Sequence, residues 1–286
     1  MNHNIKKRLP LVFMFLVLVA GISILGYPMV SDWLSVYTAK VEIADYTAAV
    51  EQEDTSQLDA MWKQAQEYNE ALSGSSGTSV ASYDDLLAVT DAIGYLEIPK
   101  IGVYMPIYHG IDTEVLEKGI GHMPDTSLPV GGKSTHCVLS GHTGLPAAKI
   151  LTDLDQMEVG DIFILHILGK NLAYKVDQIK TVLPDETSEL DIVEGKDLVT
   201  LVTCTPYGVN THRLLVRGIR TEYVEEEESN ETVPQMLAKT DPKKVLAAGS
   251  VVLVILILLV YLIVRRGEKR RVSGEKEEAE KSGKEN

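Results

Sequence analysis

Two uncharged apolar runs bracket this chain, and they decide which part of it is left to fold in water. The first, Leu9 to Tyr27, follows Lys6, Lys7 and Arg8. A bilayer core of roughly 30 Å is crossed by about 20 apolar residues, so this run is long enough to be an anchor. A secretory signal is the rival reading. Its apolar region runs about 7–15 residues and ends at a small-x-small site, whereas this run is longer and Gly26-Tyr27-Pro28 is a poor cleavage site. The second run, Val245 to Val264, precedes Arg265, Arg266, Lys269, Arg270 and Arg271. A helix apolar on every face reads as a membrane span rather than a core helix. With basic flanks kept inside, both termini are expected in the cytoplasm and the stretch from about Ser31 to Lys244 outside.

Between the two runs lie 35 Asp/Glu and 16 Lys/Arg. An excess of negative charge argues against nucleic acid as a partner, because phosphate binding needs clustered cations. It identifies no substrate, since many secreted domains are acidic for solubility. Two cysteines, Cys137 and Cys204, are too few for a disulfide scaffold. No Cys/His spacing resembles a zinc site, and neither a metal nor a cofactor is expected.

Composition predicts helix from about Ser31 to Leu72, then a flexible loop, Ser73 to Ser79, and a short helix over Tyr83 to Val89. From Gly94 the texture changes to short β-branched runs between turn residues. Candidate strands are Tyr95–Ile98, Met105–Tyr108, His136–Ser140, Ile162–Ile167, Leu172–Val182, Leu198–Thr203 and Arg213–Thr221, with a turn of helix at Ile150 to Leu154. This spacing suits a small β-barrel or sandwich. Glu225 to Glu231 reads as a solvated tether and the tail after Arg271 as disordered.

The chemistry concentrates around Thr200 to Gly208. Strand alternation points Thr200, Val202 and Cys204 one way. Pro206 cannot continue the ladder and Gly208 permits a turn, so Cys204 sits where a strand ends. The next strand opens at Arg213, and the intervening turn returns it towards Cys204. An arginine suits an oxyanion because its charge is fixed and its donors are forked. Arg217 and Arg220 read as surface ion-pair residues. A thiol nucleophile also needs a base or an electropositive setting. His142, in Ser140-Gly141-His142-Thr143-Gly144, follows a strand and is flanked by glycines that expose it. His136 reads as a packed strand residue, His109 and His122 as turn residues, and His212 as facing away from Arg213. These patterns leave two outcomes open: a Cys, His and Arg that converge for catalysis, or a binding domain in which Cys137 and Cys204 are bridged.

At these residues the sequence resembles the sortase family, and within it the pilus-assembling class C enzymes. The resemblance is carried by Leu201 to Cys204 and the run Thr205-Pro206-Tyr207-Gly208-Val209-Asn210-Thr211-His212-Arg213. Upstream, Ile98 to Ile101, Pro106 to Gly110, Gly121 to Met123, Thr126 to Gly132 and Gly141 to Pro146 also match. It implies a mainly β chain with an eight-stranded closed barrel and an N-terminal helical region. It implies cleavage of a Leu-Pro-x-Thr-Gly sorting signal between Thr and Gly, through a thioester on cysteine, then joining to an amine. A pilin lysine is the first expectation and a peptidoglycan amine the alternative; a bridged, non-enzymatic adhesin is the alternative of another class. By position, Cys204, His142 and Arg213 are the catalytic residues. Many class C enzymes carry an Asp-Pro-aromatic motif on a lid; the corresponding Ser73 to Leu87 has no such triplet.

The expected organisation is a cytoplasmic N-terminus (1–8), a first transmembrane helix (9–30), an extracellular helical and lid-like region (31–93) and the barrel (94–222). An acidic tether (223–244), a second transmembrane helix (245–264) and a charged cytoplasmic tail (265–286) follow. The protein is thus expected in the cell membrane, two-pass, with its catalytic domain outside.

Overall fold

The computed structural model describes residues 3–74, 82–143 and 150–224. The chain divides into two units, Met1–Leu237 and Ala238–Asn286. All described residues belong to the first unit, so the expected second span, most of the tether and the tail lie outside them.

The chain opens with a helix, α1 (His3–Gln52), which bends by 43° between Ile24 and Gly26. Pro28 accounts for the bend. A proline inside a helix lacks an N–H and its ring clashes with the carbonyl four residues back, here that of Ile24. Among the described residues no single helix is long and apolar enough to cross a membrane; Val17–Ile24 and Gly26–Gln52 meet length and composition only as a bent pair. The helix also continues without a boundary at residue 30.

One helix was expected from Ser31 to Leu72, but a second helix, α2 (Thr55–Leu72), starts after a break. Asp54 causes it. Its backbone is extended and its carboxylate accepts the N–H of Ser56 at 2.9 Å, a side-chain cap that competes with helix continuation. The later half of α1 buries Ala39, Ile43, Tyr46 and Val50, a stripe at helical spacing. The Tyr46 hydroxyl donates to Ile93 O at 3.3 Å and accepts from Leu168 N at 2.8 Å. From α2, buried Asn69 donates to Leu128 O at 3.1 Å and accepts from Leu128 N at 2.7 Å, acting as a surrogate strand partner. Both helices are thereby tied to the barrel by polar groups as well as by apolar packing.

Eight strands close into a barrel: β1 (Ala92–Ile98), β2 (Val103–His109), β3 (Ile120–His122), β4 (Thr135–Ser140), β5 (Ile162–Ile167), β6 (Lys170–Val182), β7 (Asp197–Thr205) and β8 (His212–Arg220). Their order around the barrel is β1-β2-β3-β4-β7-β8-β6-β5, with β5 returning to β1. The β2–β3 and β4–β7 pairs are parallel. A short helix, α3 (Thr113–Lys118), makes the first crossover, and the β5–β6 hairpin forms part of the second. Closure leaves no exposed strand edge. Inside, Phe163 and Tyr174 stack at 5.7 Å, and β8 passes close enough that a Cβ on Gly218 would lie 2.6 Å from the Phe163 ring.

Seven strands were read from sequence and the barrel has these seven plus β3. That strand has three residues, the middle one Gly121, too few for alternation to register, yet Ile120 and His122 are fully buried. His122 is therefore a strand residue, not a turn residue. The short helix expected over Tyr83–Val89 shrinks to a 3-10 turn, Tyr83–Asp85, because Leu87 adopts a left-handed φ of 59°. The turn expected at Ile150–Leu154 falls at Leu154–Gln156.

Candidate active site

Cys204 is the penultimate residue of β7 and pairs directly with Arg213 of β8. Residues Leu198 to Thr203 are buried and Cys204 is the first to emerge, half-buried. The turn beyond it is tight: Val209 N and Asn210 N both donate to Pro206 O at 3.0 Å, while Gly208 and Asn210 take left-handed φ of 73° and 60°. Glycine and asparagine tolerate that region best. Arg213 folds its Nη1 onto Asn210 O and His212 O, at 3.3 and 3.1 Å. Among the described residues no carboxylate pairs with it.

His142 arrives from the other side of β7. In the parallel β4–β7 ladder Ser140 pairs with Val202. Beyond that pair, Gly141 N donates to Val202 O at 3.0 Å and the Thr203 hydroxyl donates to Gly141 O at 2.8 Å. Leu151 N then donates to His142 O at 3.0 Å. Two residues past the Ser140–Val202 pair come His142 on one segment and Cys204 on the other. With neighbouring strands about 4.8 Å apart, His142, Cys204 and Arg213 form a row across three adjacent segments. Gly141 permits this approach, since a Cβ there would lie 2.8 Å from Leu151 side-chain atoms.

All three side chains line one groove of about 290 Å³. Its walls are apolar, with Ile111, Leu116 and Met123 on the α3 side and Val182, Leu183 and Leu190 on the β6–β7 side. Ile111 and Leu183 are exposed, which a folded domain tolerates where a ligand covers them. A larger hollow, about 390 Å³, lies against α1, β1 and β2 and contains neither cysteine nor histidine. Size alone therefore does not mark the site.

The β6–β7 segment is pinned to the barrel. Glu189 accepts from Lys180 at 2.7 Å and from Gln178 at 2.9 Å. Asp191 O accepts from His136 Nδ1 at 2.8 Å, and His136 Nε2 accepts from the Thr200 hydroxyl at 2.7 Å. Burial pushes the His136 imidazole below its ordinary range. His136 is the packed residue that was expected. Sequence reasoning passed over Ile111, Leu183, Glu189 and Asp191, which sit in polar turns with no periodicity to mark them.

Arg217 forms the expected surface pair, with Asp177 bidentate at 2.9 and 2.8 Å. Arg220 lies over the Tyr174 ring at 5.4 Å. His122 Nε2 donates to Ser127 O at 2.9 Å and its Nδ1 accepts from the Tyr83 hydroxyl at 2.7 Å. His109 Nε2 donates to Leu86 O at 2.7 Å. None of these histidines lines the groove.

The disulfide alternative fails on geometry. Cys137 pairs with Val199 in the β4–β7 ladder. Cys204 is five residues farther along β7, roughly 17 Å at 3.3 Å per residue, where a bridge needs Cα atoms within about 7 Å. Both thiols are free. Burial drives the Cys137 thiol well above its ordinary range, leaving it inert.

The sortase domain family matches residues 96–221. Sortase C1 of Streptococcus agalactiae is 46% identical to this chain, over 64% of it and 99% of the solved chain, with a TM-score of 0.60. The chain belongs to the sortase family. Among other solved sortases, Clostridium perfringens sortase C, determined with the C-terminal cell wall sorting motif, is 48% identical over 64% of this chain and 99% of that one, with a TM-score of 0.59. Sortase D of Bacillus subtilis is 33% identical over 132 residues, 45% of this sortase and 64% of that protein. Sortase A of Streptococcus agalactiae is 29% identical over 129 residues, 44% of this sortase and 51% of its own length. The match thus spans less than two thirds of these curated relatives.

Proposed function

We propose that this sortase cleaves a Leu-Pro-x-Thr-Gly sorting signal between Thr and Gly and joins the Thr to an amine, a lysine of the next pilin subunit. The observation that carries the reading is the row of His142, Cys204 and Arg213 along one apolar groove. Cys204 Sγ attacks the Thr carbonyl carbon, and the carbonyl oxygen takes up negative charge. Arg213 stabilises that oxyanion. Its Nη1 is held by turn carbonyls, which leaves Nε and Nη2 for the substrate. His142 protonates the leaving Gly amine as the C–N bond breaks. The apolar walls suit the Leu and Pro of the signal and keep the thioester from water.

The pilus reading is supported by the similarity to class C enzymes along nearly their whole solved length. The two apolar runs and their basic flanks support a two-pass anchor with both termini in the cytoplasm. The test incubates the full chain in detergent, wild type and Cys204→Ala, with a Leu-Pro-x-Thr-Gly peptide and either a pilin-type lysine peptide or a peptidoglycan-type amine. Mass spectrometry should find a thioester adduct on Cys204 and a lysine-linked product in the wild type alone. A product with the peptidoglycan-type amine only would replace the pilus acceptor with a wall acceptor. No adduct under conditions where another sortase reacts would refute the reading.

A further inference from the structure

The groove around Cys204 carries three charge-bearing side chains, His142, Arg213 and Glu186, so Glu186 is the single carboxylate among its lining residues. It is braced over the groove. Glu186 Oε2 accepts the N–H of Leu183 at 3.2 Å, and Glu186 N donates to Leu183 O at 3.1 Å. The nearby cations are engaged elsewhere: Lys180 pairs with Glu189 at 2.7 Å and Arg217 with Asp177 at 2.8 Å. Among the described residues, no cation is paired with Glu186.

We propose that Glu186 receives the ammonium group of the acceptor and so favours a cationic amine over water or a neutral amine in the second half of the reaction. The proposal rests on the transpeptidase reading above. A lysine side chain titrates near 10.4 and reaches the groove as a cation. Arg213 repels it, and a fixed carboxylate at the groove offsets that repulsion and raises the local amine concentration. The acceptor then releases one proton to solvent. Its neutral nitrogen attacks the thioester carbonyl, the C–N bond forms, the C–Sγ bond breaks and Cys204 leaves as thiolate. The second proton passes from nitrogen to His142. Glu186 touches only the incoming cation and is a specificity-determining residue for it.

The full chain, wild type and Glu186→Gln and Glu186→Lys, is assayed in detergent with the sorting peptide and two acceptors. One is a blocked lysine, cationic at neutral pH, and the other is hydroxylamine, which is neutral there. The expected result is a rise of about three- to fivefold in KM for the lysine in Glu186→Gln, the size a partly exposed charge pair supports, and a larger rise in Glu186→Lys. Added salt should narrow the difference. Thioester accumulation and hydroxylamine release should stay close to wild type. An unchanged lysine KM in both variants would overturn the proposal. Equal slowing of lysine and hydroxylamine would also overturn it, by making Glu186 a structural brace. If the wild type forms no thioester, the transpeptidase reading falls first and this proposal with it.

Discussion

Cys204 and Arg213 are direct partners in the antiparallel β7–β8 ladder, joined by a turn that begins at Pro206 and ends at Thr211. The guanidinium therefore reaches the thiol's neighbourhood by local chain reversal, independent of the rest of the barrel. Replacing Arg213 by Ala should lower kcat by about 10²–10³, the usual effect of removing one oxyanion donor. Lysine at 213 should recover only part of this, because a point charge does not reproduce the fork. Thermal unfolding of both variants should stay near wild type, which separates lost chemistry from lost fold.

His142 acts on the leaving amine in the proposed chemistry, so its removal should depend on the leaving group. His142→Ala should slow peptide cleavage by about 10²–10⁴. A substrate with an ester in place of the Thr–Gly amide leaves as an alkoxide or alcohol with a different proton demand, and should be impaired less than the amide. Equal losses on both substrates, measured by single-turnover mass spectrometry, would remove His142 from the proton-transfer role.

The two cysteines should differ in solution. Cys204 is half-buried at the groove and Cys137 is 2% exposed within β4. Iodoacetamide on native protein should alkylate Cys204 alone, and both cysteines after unfolding. Cys137→Ala should keep activity and lose about 1 kcal/mol of stability from the small cavity.

Asn69 satisfies both backbone groups of Leu128 from α2. Asn69→Leu leaves a buried N–H and C=O without partners and should cost about 1–3 kcal/mol, read by urea unfolding. The same measurement on an exposed α2 position, such as Gln66, should show little change.

His122 makes stability depend on pH. Complete burial pushes its imidazole down to about 4. The folded state holds it neutral, while the unfolded chain takes up a proton below about 6.5. Between those values the unfolded state binds more protons, so stability is full above the unfolded pKa and falls as pH drops towards 4. The slope reaches about 1.4 kcal/mol per pH unit for one such group. His136 and His109, whose imidazoles burial also lowers, should steepen the trend. Urea midpoints at pH 7, 6 and 5 should decline in wild type and less in His122→Gln.

Much of the barrel was legible because each long strand alternates and ends at turn residues. The Cys204–Arg213 relation was legible too, since it is a hairpin written within ten consecutive residues. The break at Asp54 was equally local, a capping residue inside a run of helix formers, but composition over a long window averaged it away.

What sequence by itself determined is local: two uncharged runs with basic flanks, the strand periods, the thiol at a strand end and the arginine across its turn. Only tertiary structure decided the rest. The His142–Cys204 adjacency depends on β4 and β7 pairing in parallel across a 62-residue separation, and a single-residue slip would turn one side chain to the wrong face. The three-residue β3 is a strand only because β2 and β4 flank it on both sides. The groove's two walls come from α3 and the β6–β7 segment, and His136 of β4 pins the second wall to the barrel through Asp191 O. Such contacts join residues distant in the chain, and no period or composition in any one stretch encodes them. They exist because closing the barrel brings those stretches side by side.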